Sequence, residues 1–192
     1  MFAKAAAISA LVGASMALPQ STGGKIPADA AFNLQIDSTT DSSLQFLGLS
    51  AALNNILINY NSQNASCATT NNVYTATFYL KDSGLYLYST SATPQQLFAD
   101  RSGMGQGIIQ YTTGAQPAPK NAERGPFALD NSNVLTMDGS NFVACPNEDG
   151  SSSIWSDVGL DTPGGREGCV DVTIRANQAP APVSCSYTQY SA

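Results

Sequence analysis

The side chains that most often carry catalysis are sparse in this sequence of 192 residues. Histidine is absent, which removes Ser-His-Asp and Cys-His nucleophilic machinery and the commonest metal ligand together. Three glutamates remain as candidates for a paired-carboxylate glycosidase: Glu123, Glu148 and Glu167. Each lies among glycine, proline and asparagine residues typical of exposed loops, so we expect solvated surface charges. The sequence therefore predicts no catalytic residue, no cofactor and no metal.

Four cysteines, Cys67, Cys145, Cys169 and Cys185, are the other reactive group. An even number of cysteines in an exported chain favours two disulfides, and four cysteines allow three connectivities. Cys145 with Cys169 is the favoured pair, which leaves Cys67 with Cys185. A zinc site is disfavoured because no two cysteines are close in sequence and no histidine completes a set. We expect no free thiol nucleophile.

The N-terminus indicates export. Lys4 supplies one positive charge, an apolar run follows over residues 5–12, and the small Ser15 and Ala17 occupy the −3 and −1 positions of a cleavage site. The apolar run is too short to span a bilayer. We expect a signal peptide over residues 1–17 and a single secreted β domain over residues 18–192.

The charge of the chain bears on its partners. It carries 8 basic and 14 acidic residues, a net charge of −6. Nucleic acid and anionic membranes are disfavoured as partners, because binding phosphate requires clustered lysine and arginine. Residues 184–192 are polar, which disfavours a lipid anchor. The sequence assigns no oligomeric state.

Two polar stretches are candidates for modification or binding. A glycosylation sequon begins at Asn64 within a polar segment, so we expect Asn64 to be exposed and glycosylated. Residues 103–107, GMGQG, are similar to a phosphate-binding loop, but a strand rather than a helix is predicted to follow them. We expect a tight turn that lets Arg101 fold back against Asp100 or Asp82.

Tyrosines are the sequence feature best suited to binding. Tyr86 and Tyr88 lie two residues apart in a predicted strand and therefore share one face. Flat aromatic faces suit sugar rings, which present apolar C–H patches, but cross-strand packing uses the same residues and is the favoured role. Tyr86, Tyr88 and Arg101 are kept as a candidate ligand face.

Short strands must position these residues. Apolar and polar residues alternate over residues 32–36, the period of a half-buried strand. Two apolar runs, 73–80 and 85–88, flank a polar turn that closes on glycine, which predicts a hairpin. Further strands are predicted over residues 44–49, 56–60, 108–113, 134–137, 142–145, 154–158, 170–176 and 183–187. The helical candidate, residues 50–58, is short and interrupted by asparagines. The predicted fold class is all-β, an antiparallel β-sandwich or partly closed barrel stabilised by disulfides.

From about Ala76 onward the sequence resembles a known family. The distinctive segment is the octapeptide DRSGMGQG at residues 100–107. Similar segments follow at residues 110–114, 117–121, 135–139, 142–146, 154–155 and 182–187. These motifs resemble the PhiA-type cell-wall proteins of filamentous fungi, some of whose relatives are described as IgE-binding proteins or allergens. The resemblance implies a secreted β-rich protein associated with the fungal wall and with development of spore-bearing cells, and it supplies no catalytic residues.

Three classes of function follow. The leading hypothesis is a non-enzymatic, glycosylated wall protein with a structural or conidiation-related role, held by non-covalent contacts with wall polysaccharide such as β-glucan or chitin. The second is a secreted glycan-binding protein, or an effector or allergen-like protein recognised by a host. The third is a histidine-free glycosidase or lyase.

Overall fold

The computed structural model describes residues 24–61, 63–69, 73–91 and 93–189, so the predicted signal peptide, residues 1–17, lies outside the described residues. The regular secondary structure of the described residues is all-β, as predicted, apart from one short 3₁₀ helix at Pro163–Gly165. The strands are β1 (Phe32–Thr39), β2 (Leu49–Ala52), β3 (Asn55–Ile58), β4 (Ser66–Cys67), β5 (Thr77–Lys81), β6 (Gly84–Leu87), β7 (Gln95–Asp100), β8 (Ile108–Thr113), β9 (Ala122–Glu123), β10 (Phe127–Leu129), β11 (Val134–Met137), β12 (Phe142–Pro146), β13 (Ser152–Ser156), β14 (Val170–Gln178) and β15 (Cys185–Ser186). Within these ranges, no helix is long and apolar enough to cross a membrane.

Eight strands close into a ring. Of the two predicted architectures, the β-sandwich and the barrel, the structure is therefore a barrel. Antiparallel pairs run in the order β1, β5, β6, β7, β8, β13, β12, β14, and β14 pairs again with β1. The β1–β14 ladder is long, whereas β8 and β13 are joined by the single pair Ile108 and Trp155. β3 inserts at this seam and pairs with both β8 and β13. Closing the ring satisfies strand edges that would otherwise be exposed.

The barrel interior is filled by the apolar half of each alternating strand. In β1, Phe32, Leu34 and Ile36 are buried while the residues between them are partly exposed, which is the predicted period of two. Large buried side chains from neighbouring strands complete this core. They include Phe78, Leu85, Leu87, Leu97, Tyr111, Phe142 and Ile174. The opposite half of each strand lies on the outer face, part of which is accessible to a ligand.

The helical candidate at residues 50–58 is wrong, because β2 and β3 form a β-hairpin there. Leu53 and Asn54 make its two-residue turn, with φ of 50° and 61°. The C-terminal segment holds this turn: Leu53 N donates to Thr188 Oγ1 at 3.1 Å, and Asn54 N donates to Thr188 O at 3.3 Å. A contact 135 residues away in sequence therefore decides the local conformation.

The C-terminal segment closes the end of the barrel where β5 and β7 begin. Tyr187 is buried in the core, and Thr77 N donates to its hydroxyl at 3.0 Å. The Gln95 side chain pairs with both backbone groups of Tyr187: it accepts from Tyr187 N at 2.8 Å and donates to Tyr187 O at 3.0 Å. Cys185, two residues earlier, is bonded to Cys67. The buried polar groups at this end are thus paired.

Alkaline pH is expected to unfold the barrel through its buried tyrosines. Burial raises the pKa of Tyr187 from 10.0 to about 12 and also raises that of Tyr111. A pKa raised in the folded state means that the stability is fully present below pH 10 and is lost as the pH rises toward 12. In a spectrophotometric titration, Tyr187 and Tyr111 should ionise only together with unfolding measured by circular dichroism. Ionisation of both near pH 10, with the fold intact, would contradict this.

A small apolar cluster lies outside the ring. Trp155 packs there with Val143 and Cys145, and Cys169 contacts them. Residues 157–169 cover the Trp155 ring, since a Cβ at Gly164 would come within 2.7 Å of it. The Cys145–Cys169 disulfide ties this loop to β12.

Candidate functional site

Three tyrosines lie together on the outer face of the barrel. Tyr79 lies opposite Tyr86 in the β5–β6 register, and their rings stack with centroids 5.2 Å apart at 19°. Tyr88 meets Tyr79 edge-on at 6.4 Å and 90°. All three side chains are half-buried, whereas Phe78 and Leu87 on the opposite face lie in the core. Tyr79, Tyr86 and Tyr88 are called the tyrosine face below.

A glycine on the same face makes room for the Tyr86 ring. Gly84 lies two residues before Tyr86 and therefore points to the same side of β6. A Cβ at Gly84 would come within 2.9 Å of Tyr86 Cε2 and within 2.9 Å of Gln96 Nε2. The Tyr86 ring and the Gln96 amide thus converge over Gly84, in the space that a side chain would fill.

Polar side chains continue the tyrosine face across the next two strands. Gln96 in β7 lies opposite Tyr86, and Thr112 in β8 lies opposite Gln96. Arg124 follows β9 and bridges them: Nη1 donates to Gln96 Oε1, and Nη2 donates to Thr112 Oγ1 at 3.1 Å. Gln96, Thr112 and Arg124 are called the polar row. Rings can stack on the C–H patches of a sugar while Gln96 and Arg124, which are half-buried, bond its hydroxyls. Thr112 is buried and supports Arg124.

The protonation state of the tyrosine face suits hydrogen bonding. Burial is the main cause that raises the pKa of Tyr79, and the neighbouring Tyr86 raises it further. Tyr79 is therefore a neutral phenol at physiological pH, able to donate and to accept a hydrogen bond.

Arg101, predicted as part of the ligand face, instead forms ion pairs away from the tyrosine face. Its guanidinium forms an ion pair with Glu123, to which Nε also donates at 3.0 Å, and a second pair with Asp138 at 3.1 Å. Glu123 lies opposite Ala99 of β7, whose side chain faces the core. The neighbouring Arg124 points to the other side and reaches the polar row. The register of β9 therefore separates Arg101 from the tyrosine face.

The expected contact of Arg101 with Asp100 or Asp82 is also wrong. The Asp100 carboxylate accepts from Ser102 N at 3.0 Å, and the Asp100 carbonyl accepts from Gly107 N at 2.7 Å. Asp100 thus holds the octapeptide, residues 100–107, in a compact turn of the predicted kind. Gln106 docks this turn on the neighbouring loop, since Gly164 N donates to its Oε1 at 2.7 Å.

The glutamates lie on the surface. Glu123 is bound by Arg101, and Glu148 and Glu167 are exposed loop residues. Across the ranges the structure describes, no three or more His, Cys, Asp or Glu residues are grouped closely enough to hold a metal ion.

The four cysteines form two disulfides. Cys67 is bonded to Cys185, and Cys145 to Cys169. Asn64, three residues before Cys67, is exposed, so the sequon is accessible. Glycosylation of Asn64 stays a prediction.

Comparison with known proteins identifies the family. The family model for PhiA-like secreted proteins matches residues 34–188, a span that includes the tyrosine face, the polar row and both disulfides. This chain belongs to the PhiA-like family.

Several relatives are named cell wall protein phiA. The relative from Aspergillus fumigatus is 51% identical over 149 residues, which cover 77% of this chain and 80% of that protein. The relative from Aspergillus niger is 48% identical over 172 residues, 87% of this chain and 93% of that protein. A relative from Arthroderma benhamiae is 36% identical over 186 residues, 93% of this chain and 98% of that protein. No solved structure matches. The chain is a secreted cell-wall protein of the PhiA-like family, and the resemblance seen in its motifs is confirmed.

Sequence reasoning missed four residues of the PhiA-like chain's candidate site: Tyr79, Gln96, Thr112 and Arg124. Tyr79 could have been found, because a two-residue turn at Asp82 and Ser83 places it opposite Tyr86. No local sequence pattern indicates that Arg124 belongs to the site. It reaches the polar row only because β9 pairs with β7, more than twenty residues away.

Proposed function

We propose that this chain is a non-enzymatic wall protein that is retained on cell-wall polysaccharide through the tyrosine face and has a structural role in development of spore-bearing cells. The observation that carries the proposal is the stacked tyrosines on an outer sheet face beside the polar row. The relatives named cell wall protein phiA support the location. The ion pair of Glu123 with Arg101 and the exposed positions of Glu148 and Glu167 support a role without catalysis.

The tyrosine face has the properties that a polysaccharide strand requires. Its rings are packed against each other, so they lose little side-chain freedom when a ligand binds. The three side chains are half-buried, so part of each ring is accessible to a sugar. The neutral amide of the half-buried Gln96 can replace water that sugar hydroxyls give up. β-Glucan and chitin both present such rings in series.

Replacing Tyr79, Tyr86 and Tyr88 by alanine is expected to weaken binding to insoluble β-glucan or chitin by about 30-fold, the loss of about 2 kcal/mol typical of central aromatic anchors. The measurement is a depletion isotherm with purified protein, with circular dichroism to verify folding. Tyr74→Ala is the matched control, because Tyr74 is also an exposed tyrosine but lies outside the tyrosine face. A folded triple variant with unchanged affinity would refute the role of the tyrosine face.

Retention in the wall is tested in the producing organism. Cultures are separated into medium, wall material extracted by salt or detergent, and covalent wall residue. The proposal expects wild-type protein in the extracted fraction and the triple variant mainly in the medium. Protein found only in the medium would overturn retention, and release of reducing sugar from either polysaccharide would overturn the absence of catalysis.

A further inference from the structure

We infer that the tyrosine face binds a saccharide that carries an anionic group, a carboxylate or a phosphate ester, more tightly than a neutral saccharide such as β-glucan or chitin, and that Arg124 binds this group. The inference rests on the proposed function, because it assigns the ligand class of the same face. It begins from Arg124, an arginine without an ion pair to any described residue.

The charge partners of the arginines differ. Arg101 pairs with Glu123 and Asp138, and Arg175 pairs with Asp37 at 2.7 Å. Arg166 lies within electrostatic range of Asp149.

Among the described residues, no carboxylate lies within ion-pair distance of Arg124. Its hydrogen-bond partners are the neutral amide of Gln96 and the neutral hydroxyl of Thr112. The side chain belongs to a half-buried residue, so its charge is partly removed from water. A guanidinium in that setting gains most from an anion.

The guanidinium is held ready to receive a ligand. Gln96 and Thr112 fix its two terminal nitrogens from neighbouring strands, which leaves about three of its five N–H donors without a protein partner. The segment that follows is tied to the β5–β6 turn, since Phe127 N donates to Ser83 O at 2.8 Å. A Cβ at Gly125 would come within 2.5 Å of that same oxygen, so the backbones approach closely. Arg124 is thus anchored to the hairpin that carries the tyrosine face.

The placement of charge beside a ring determines the ligand class. Tyr86 and the Gln96 amide both lie over Gly84, and Arg124 bonds that amide. A sugar stacked on Tyr86 would therefore direct a substituent at its rim toward Arg124. The planar guanidinium matches carboxylate and phosphate in geometry, and a uronic acid or a sugar phosphate supplies either group. Tyr79 stays a neutral phenol and does not repel the anion.

Calorimetric titration of the intact secreted protein tests the inference with three probes: trigalacturonate for the carboxylate, mannose 6-phosphate for the phosphate, and laminaritriose as a neutral saccharide. At least one anionic probe is expected to bind about tenfold more tightly than laminaritriose, a preference that weakens with added salt. The probe that binds more tightly identifies the anionic group. Equal or tighter binding of laminaritriose by the wild-type protein would overturn the inference.

Variants test whether Arg124 causes the preference for an anionic probe. Arg124→Gln should abolish it while laminaritriose binding is retained, and Arg124→Lys should keep part of it. Arg175→Gln is the control, because it removes an arginine charge from β14 and should leave the preference unchanged. An anion preference that survives Arg124→Gln would overturn the assignment to Arg124. If laminaritriose binds without any anion preference, only this inference fails, whereas binding of no saccharide at all would overturn the proposed function as well.

Discussion

Replacing Cys67 and Cys185 together by serine is expected to lower the free energy of unfolding by about 5 kcal/mol. This disulfide joins residues 118 apart in sequence, so its loss restores a large amount of chain entropy to the unfolded state. It also releases the C-terminal segment in which Tyr187 is buried and bonded to Gln95. The end of the barrel where β5 and β7 begin would lose its cover. Denaturant titration of the double variant, followed by circular dichroism, measures the effect.

The other disulfide is the matched comparison. Cys145 and Cys169 are 24 residues apart, for which the same relation gives about 3.5 kcal/mol. Their bond ties the outer loop over Trp155 and does not close an end of the barrel. The Cys145→Ser, Cys169→Ser variant should therefore unfold at a higher denaturant concentration than the Cys67→Ser, Cys185→Ser variant. The reverse order would show that the outer loop, and not the C-terminal segment, dominates stability.

Gly107→Ala is expected to cost about 3 kcal/mol in the free energy of unfolding, from backbone strain and a steric clash together. Gly107 has φ of 101°, a conformation that L side chains rarely adopt, and a Cβ would collide with the carbonyl oxygen of Ser156. The same glycine accepts from Ser156 N at 2.7 Å, next to the Ile108–Trp155 pair. The substitution therefore acts on the seam between β8 and β13, where the barrel closes through few contacts.

Gly103→Ala is the control for this prediction. Gly103 belongs to the same octapeptide, but no atom lies within 4 Å of a Cβ built there. Its replacement should change the free energy of unfolding by less than about 0.5 kcal/mol, as expected for a surface site. Thermal denaturation of both variants separates the two positions. Equal destabilisation would mean that the loop tolerates no side chain anywhere and that the seam has no special role.

Much of the fold was predictable because it depends on local periodicity and turn chemistry. The alternation of Phe32, Leu34 and Ile36 predicts the inward face of β1, and the polar turn before Gly84 predicts the β5–β6 hairpin. Residues 50–58 were the exception. Their turn is held by Thr188, a contact that local sequence does not contain.

The candidate site was only half predictable. Tyr86 and Tyr88 share a face by strand geometry alone, and the hairpin register adds Tyr79. The cation was assigned to Arg101, whereas the structure places Arg124 beside the tyrosines. These two arginines are separated by 23 positions along the chain, and no short-range pattern distinguishes them. The pairing of β9 with β7 decides which arginine lies beside the tyrosine face, because it turns Glu123 toward Arg101 and Arg124 toward the outer face.

The sequence by itself determined the class of this protein. Strand periodicity, the even number of cysteines and the octapeptide are legible in the sequence, and they suffice for an all-β, disulfide-bonded, PhiA-like secreted protein. Only the tertiary structure decided that the strands close into a barrel, that the C-terminal segment covers one end, and that Arg124 stands beside the tyrosine face. Each of these depends on strand pairing between distant segments, where register, and not local preference, selects which side chains meet.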